Sequence, residues 1–359
     1  MSVAPLLSIC VPTFQRSALL RVMMQALMPQ AASLGELVEV CIADNASTDD
    51  TAEVVQSAVA AHPGAVVRYL RRDANVGPVR NYVQCATAQA TGEYVWALGD
   101  DDLLVPGALA RVCVAIHQNR HLDFFYANFA AASFAAHWPE SSHDGYGGAI
   151  TALATTHLHD HPVLHWQDLL DTSSSLGTQV YAHIVARHVW TTYWHGRAIA
   201  PDYRSLESTY PHTCMLVEHA WDQPARYLGA PHLVQFDGRP GWADGQGSRI
   251  TLVVHPLLLA RLEDRGLGLH AMLRARAALK VTLQAGYQHL LSGGDVPDAA
   301  DVLRQSLALA ERFPEVPDAL MAALQATGGT VAASVIDTVR DALVALEQRK
   351  TSQRLASAA

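Results

Sequence analysis

Charge is scarce in this 359-residue chain: 16% of the residues are Asp, Glu, Lys or Arg, and acids outnumber bases 34 to 25. A net charge of −9 excludes a protein whose main task is coating nucleic acid, because that task needs a basic face against the phosphates. It leaves room for a small phosphorylated ligand, which a few local donors or a metal can hold. Long apolar runs are also missing. None approaches the ~18 residues of a spanning helix, and the apolar stretch 250–262 is interrupted by His255 and Pro256. The start, MSVAPLLSIC, has no basic segment, and its apolar stretch stops at Pro12 and Thr13, so no secretory signal is expected. Cysteine is sparse and odd in number: Cys10, Cys41, Cys85, Cys113 and Cys214 lie far apart, mostly inside apolar runs. They predict buried, reduced thiols rather than disulfides or a zinc site. Together these absences lead to the expectation of a cytoplasmic protein with no transmembrane segment. Peripheral contact at the inner face of a membrane stays open. The P-loop, the G-x-S-x-G elbow and a post-strand G-x-G-x-x-G are absent too.

What is present is a regular rhythm. Half the residues are hydrophobic, and the length suggests two domains with ample core. Short β-rich runs cover 6–11, 37–43, 66–70, 93–98 and 122–127. Helical patterns cover 17–30, 49–61, 78–90 and 106–118. Ser47 and Asp50 have the spacing of a capping box, and Pro106 falls in a first helical turn. The alternation predicts an α/β fold: a mostly parallel, Rossmann-like sheet with helices on both faces. The rhythm fails after Asn128. Residues 137–178 are rich in His, Ser, Gly and Asp. A strand is expected over 180–186, a helical core within 204–219, one or two short strands around Pro231 over 227–236, and a glycine-rich loop or linker over 237–247. Helical patterns follow at 252–263, 267–291, 299–312 and 331–348. The expected division is 1–127, 128–248 and a C-terminal helical region, 249–359.

Four polar segments each follow a predicted strand. They are Pro12-Thr13-Phe14-Gln15-Arg16, then Asp44 through Thr51 (DNASTDDT), then Asn75 through Asn81 (NVGPVRN), then Gly99-Asp100-Asp101-Asp102. Alone, each suits an ordinary helix start, where acids also favour the macrodipole. Together they line one edge of the sheet, where open α/β sheets bind ligands. Three adjacent carboxylates repel one another, and a D-x-D tip offers two oxygen ligands to Mg²⁺ or Mn²⁺. Such a metal can neutralise a departing diphosphate.

The order PTFQR, DNASTDDT, NVGPVRN, GEYVWALGDDD resembles the family 2 glycosyltransferases of the GT-A fold, over about residues 6–127. The LGDDD ending and the segment 177–190 (GTQVYAHIVARHVW) are similar to bacterial O-antigen and capsule transferases of the abequosyltransferase-like group. The resemblance implies an inverting, metal-dependent transfer of sugar from a nucleotide-diphosphate sugar to a saccharide, lipid-linked or other hydroxyl acceptor. It also implies Mn²⁺ or Mg²⁺ as cofactor. By the same resemblance Pro12, Thr13 and Arg16 border base and ribose, Asp44 binds the base, and Asn75 belongs to the nucleotide-binding set. Arg80 lies near base or diphosphate, Asp100 touches ribose, Asp102 ligates the metal, and Asp101 has a lesser part. Donor binding would fall to 1–127 and acceptor binding to 128–248. The C-terminal helices would serve packing or assembly, with self-association open.

One departure matters. Members of the family carry an acidic pair before a helix in the acceptor half, and none stands here. The matching region is Leu206-Glu207-Ser208-Thr209-Tyr210-Pro211-His212. Glu207 or His212 could be the base, and the count along the chain favours His212, a competent base near neutral pH. The missing pair keeps a non-catalytic sugar-nucleotide-binding or scaffold protein as an alternative. A sugar nucleotidyltransferase is another, although its glycine-rich basic loop is replaced by PTFQR. The segment His157-Leu158-His159-Asp160-His161, with His165 beyond, is similar to a metallo-β-lactamase signature but one residue short. It is read as a polar loop.

Overall fold

A computed structural model describes residues 4–134, 152–153, 157–172, 176–201, 203–237, 245–294, 296–326, 339–340 and 344. The chain divides into two compact units, 1–202 with 210–239, and 203–209 with 240–359.

The first unit begins with the expected alternation. The strands are β1 (Leu7–Thr13), β2 (Val38–Asp44), β3 (Val66–Arg71) and β4 (Tyr94–Ala97). The helices are α1 (Ser17–Leu34), α2 (Thr51–Ala61) and α3 (Pro78–Gln84). The four strands lie parallel in the order β3-β2-β1-β4. β1 and β2 are nearly continuous apolar runs buried along their length, as strands covered on both faces must be. α3 starts with Pro at its first turn and ends early in a π turn, Cys85–Gln89. All five cysteines are buried free thiols.

Beyond β4 the sheet is mixed. β5 (Leu103–Leu104), α4 (Ala108–Gln118) and β6 (Phe124–Ser133) follow in sequence. β6 does not join β4. Between them stands β9 (His183–Ala186), antiparallel to both. Two short strands, β7 (Ala152–Leu153) and β8 (His161–Val163), are added on β6 and β10. After β9 come α5 (Arg187–Trp194), α6 (Pro211–His219) and β10 (Ala225–Asp237). The full path is β3-β2-β1-β4-β9-β6-β10-β5, ten strands with the two additions.

β10 is one long strand where one or two short ones are expected around Pro231. Its register on β6 shifts between Leu228 and Leu233, so Gly229 through His232 form an irregularity that absorbs Pro231. Gly229 is needed there. Its N–H donates to Asp160 Oδ1 and its carbonyl accepts from Asn128 Nδ2, both at 2.8 Å. A Cβ at this position would overlap the backbone of Leu158 and His159. Gly229→Ala should therefore cost about 1–3 kcal/mol by forcing the two segments apart. Denaturant titration reads this; an unchanged midpoint would show that the loop simply gives way.

The second unit is helical: α7 (His255–Asp264), α8 (Leu269–Leu291), α9 (Ala299–Ala308) and α10 (Glu315–Ala326). Its core gathers Leu258, Leu262, Leu283, Tyr287, Val302, Phe313, Val316 and Leu320. The buried Tyr287 hydroxyl meets Ser306 Oγ at 2.6 Å, so that core holds no unsatisfied phenol. α10 has no counterpart among the expected helices. Pro314 and Pro317 argue against one, yet Pro317 falls in the first turn, where its missing N–H costs nothing. The helix expected over 331–348 lies almost entirely outside the described residues, and so do Gly238, Gly241 and Trp242 of the linker. Among the described residues no helix is long and apolar enough to cross a membrane.

Candidate active site

Because β3, β2, β1 and β4 are parallel neighbours, the segments that follow them share one edge. β1 and β2 end in register, Thr13 opposite Asp44. Side chains then tie the four segments together.

The segment after β1 is held by the one after β2. Gln15 N–H donates to Ser47 Oγ at 2.9 Å, and Gln15 Oε1 accepts from the Thr48 and Asp49 N–H groups at 3.0 and 3.1 Å. Ser17 N–H donates to Asp49 Oδ2 at 2.9 Å. Gln15 and Ala46 sit at φ +54° and +69°, a conformation that costs a residue with a side chain and persists only where neighbours impose it. The capping box expected from Ser47 and Asp50 does not form. Ser47 is taken by Gln15, Asp50 makes no side-chain cap, and Asp49 bonds Thr51 instead.

Asp44 is buried. Its Oδ1 accepts from Ser47 N–H at 2.8 Å, its Oδ2 from the Tyr69 hydroxyl at 2.6 Å, and Arg71 stands 3.8 Å away. Burial and the bond to Asp44 together push the Tyr69 phenol pKa up. Asn45 carries the tie onward. Its Nδ2 donates to Asn75 Oδ1 at 2.8 Å, and its Oδ1 accepts from Val76 N–H at 2.9 Å. Gly77, at φ +87°, turns the chain into α3. Arg80 in that helix is exposed and has no ion-pair partner among the described residues.

The acidic tip follows β4. Thr13 Oγ1 donates to Asp100 Oδ2 at 2.8 Å, and Arg16 reaches Asp100 Oδ1 at 2.8 Å and also pairs with Asp101. Burial would lower the Arg16 pKa, but the Asp100 and Asp101 charges raise it. Asp102 turns the other way: its Oδ2 accepts from Gly99 N–H at 2.6 Å. Burial first, and Asp101 second, push its carboxyl well above the ordinary range. The structure thus brings together Thr13, Arg16, Asp100, Asp101 and Asp102, and separately Asp44, Asn45 and Asn75. Pro12 lies beside them on β1, half-buried. Among the described residues no group of three His, Cys, Asp or Glu side chains converges as a metal cage.

His212 and Glu207 belong to different units. His212, at the start of α6, is buried, with Nε2 3.0 Å from the Thr178 carbonyl. The next residue, Thr213, donates to the Gly177 carbonyl at 2.8 Å, so the helix start is clamped to 177–178. Burial lowers the His212 pKa to about 4 and that of its neighbour His183 to about 3. Glu207 belongs to the second unit, exposed and paired with Arg261 at 3.1 Å. The polar segment is a loop that runs into β8 at His161: the Tyr227 ring packs at a tilt on His161, its hydroxyl donates to the His157 carbonyl, and Asp160 accepts from Gly229.

Tyr69 and Arg71 carry no signal in the sequence, which gives Gln15 and Asn45 no part in the site and Ser47 only that of a helix cap. Their signal is weak, since amide and hydroxyl residues are ordinary in turns. Only register shows that they face one another.

Residues 8–162 match the family model described as "Glycosyl transferase family 2". The abequosyltransferase RfbV of Salmonella typhimurium is 34% identical over 105 residues, 29% of this chain and 31% of that protein. A GalNAc(5)-diNAcBac-PP-undecaprenol beta-1,3-glucosyltransferase of Campylobacter jejuni is 35% identical over 106 residues, 30% and 33% of the two chains. The match therefore spans about a third of the length of these relatives. Among solved structures, S. aureus TarS 1-349 superposes with TM-score 0.54 at 15% identity, covering 95% of this chain and 91% of that one. The mannosyltransferase PcManGT from Pyrobaculum calidifontis, in complex with GDP-Man and Mn²⁺, gives 0.50 at 17%, covering 91% and 88%. At these identities the likeness is one of fold.

Proposed function

On the premise that residues 8–162 form a family 2 glycosyl transferase segment, we propose that this protein moves a sugar from a nucleotide-diphosphate sugar to an acceptor hydroxyl, with inversion. The observation that carries this is the tied set of Thr13, Arg16 and Asp100–Asp102 beside Asp44, at the edge where such sheets bind nucleotides. TarS was also solved with UDP-GlcNAc, and PcManGT with GDP-Man, which supports a nucleotide-sugar donor. The Campylobacter relative, named for a PP-undecaprenol saccharide, supports a lipid-linked acceptor in bacterial polysaccharide or glycoconjugate synthesis.

In this reading Pro12, Thr13, Arg16, Asp44 and Asn75 hold base and ribose, Asp100 takes the ribose hydroxyls, and exposed Arg80 swings to the diphosphate. The donor chemistry at Asp102 fits Mn²⁺ or Mg²⁺. One carboxylate oxygen is bound to Gly99 N–H, and a hard cation of this kind takes one or two carboxylates and fills its other positions from substrate phosphates and water. Such an ion, when bound, would neutralise the leaving diphosphate. Arg16, paired with Asp100 and Asp101, holds both carboxylates in place meanwhile.

The acceptor proton needs a base. With Nε2–H on the Thr178 carbonyl, the neutral His212 ring has Nδ1 as its acceptor. His212→Ala should lower kcat by roughly 10²–10⁴-fold with donor binding nearly intact. His212→Gln separates chemistry from clamping, because Gln can keep the Thr178 bond but cannot take a proton. Equal loss in both variants supports the base. Recovery in Gln would leave His212 only a structural clamp, and a larger loss in Glu207→Gln would move the assignment there. The non-catalytic alternative fails if the wild type hydrolyses or transfers any member of a UDP-, GDP-, CDP- and dTDP-sugar panel in Mn²⁺.

A further inference from the structure

The transfer scheme leaves one buried histidine of the first unit, His183, unused. It opens β9, the strand inserted between β4 and β6. Ile184 stands opposite Trp96, so His183 comes level with Ala97, where β4 ends and the turn to the acidic tip begins. Tyr126 is its direct partner in β6. The residue is 5% exposed, and its ring centre lies 6.2 Å from that of His212, the planes at 37°. Tyr126 and Trp166 also pack on it, with ring centres 5.4 and 5.8 Å away.

Burial disfavours an imidazole here. Among the described residues neither ring nitrogen of His183 makes a hydrogen bond. The Gly177 carbonyl lies near both histidines, but it already accepts from Thr213 at 2.8 Å. A polar ring held in this way costs stability that a phenylalanine would not. Such departures from a well-satisfied core collect at functional sites.

No Asp, Glu, Lys or Arg is among the groups that set the proton affinity of either ring. Burial lowers both, His212 lowers His183 further, and the carbonyls of 177 and 178 act the other way. His212 therefore takes a proton first, and His183 stays neutral. In the transfer, the acceptor O–H bond breaks and its electron pair goes to the anomeric carbon. The sugar's bond to the diphosphate breaks, its pair leaves on a phosphate oxygen, and the proton stays on His212 Nδ1. His212 is then a buried cation. The Thr178 carbonyl meets that charge at Nε2–H. Among the described residues the rings packed on His212 are those of Tyr82, edge to face, and His183. With neither nitrogen held elsewhere, His183 can present its lone pair to the charge.

We propose that His183 is a positioning residue for the transfer, its neutral ring supporting the positive charge that His212 acquires with the acceptor proton. That role rests on His212 being the base.

The test is a double-mutant cycle on the kcat of the full-length protein, with whichever of the UDP-, GDP-, CDP- and dTDP-sugars it turns over. His183→Phe keeps a ring and removes the nitrogens, whereas His183→Gln keeps the polarity and loses the ring. His183→Phe should lower kcat roughly 10-fold, the equivalent of about one pKa unit in the base, with the KM for donor unchanged. His183→Gln should recover most of that. In a His212→Ala background His183→Phe should cost nothing more, because its effect passes through His212. Ring-nitrogen NMR of the wild type near neutral pH should show His183 uncharged. Melting curves check that the variants are folded. Full kcat in His183→Phe, a further loss of ~10-fold in the His212→Ala background, or a charged His183 in the wild type would overturn the proposal while leaving His212 as the base. A kcat unmoved by His212→Ala, or no turnover of any donor, would remove the base reading and this role with it.

Discussion

Asp102→Asn should remove transfer and metal-dependent nucleotide binding while leaving the fold intact. The substitution is well suited to isolate charge. Gly99 N–H donates to an Asp102 oxygen at 2.6 Å, and the amide oxygen of Asn can accept the same bond. The turn after β4 is therefore kept. What disappears is a negative oxygen that a hard cation requires. Loss of charge stabilisation at a leaving group is worth at least ~10²-fold in kcat. Calorimetry with UDP or GDP in Mn²⁺ should show the affinity fall to the level of wild type in EDTA. Stability should hold or rise, because burial and Asp101 both work against an ionised Asp102. Full activity in the variant, or in wild type with excess EDTA, ends the metal mechanism.

Glu39→Ala should produce the largest stability loss, roughly 3–5 kcal/mol. Glu39 is fully buried near the start of β2, at the opposite end of that strand from Asp44. Its carboxylate accepts from Ser8 Oγ at 2.6 Å, Thr91 N–H at 2.6 Å, Gly92 N–H at 3.1 Å and Arg68 Nε at 2.6 Å. Removing it takes the acceptor from Ser8 Oγ and from Thr91 N–H, while Gly92 N–H keeps Ser8 Oγ at 2.8 Å and half-exposed Arg68 turns to water. At about 2–4 °C per kcal/mol the melting temperature should drop on the order of 10 °C. Burial alone would raise the Glu39 pKa, but the Ser8, Thr91 and Arg68 bonds outweigh it and the folded value lies below the ordinary one. The contribution is then present above the unfolded pKa and is lost as pH falls through the folded one. Wild type should lose stability over that acidic range and the variant should not. A loss under ~1 kcal/mol would mean that water replaces the carboxylate.

The donor half was legible because its signals are local. Short apolar runs in β1 and β2, helices of the right length, and four polar strand ends follow from residues close in sequence. The half beyond β4 was not, for a nonlocal reason. His183 through Ala186 read as a strand, but nothing in that stretch says that it enters antiparallel between β4 and β6. For β10 the choice between one strand and two stayed open at Pro231, because a register irregularity leaves only a Gly and a Pro as its trace. At the site, the DDD tip was legible as chemistry, while its division into two carboxylates on Arg16 and one on Gly99 depends on side-chain directions that spacing cannot give.

The assignment of residues 203–209 to the second unit has a consequence for how such a protein can change. Glu207 pairs with Arg261, and Arg204 with Asp298 at 2.7 Å, so this seven-residue stretch is anchored among helices that begin forty residues later. The chain leaves the first unit, returns to it for 210–239, and leaves again. The helical unit is therefore not a cassette appended at one end. A crossover or stop codon near Gly247 would strip the partners from 203–209 in the middle of the first unit's sequence, leaving Leu206 and Thr209, now buried, without their cover. Recombination cannot exchange the helices as a block, and the two units are bound to be inherited, and to diversify, together.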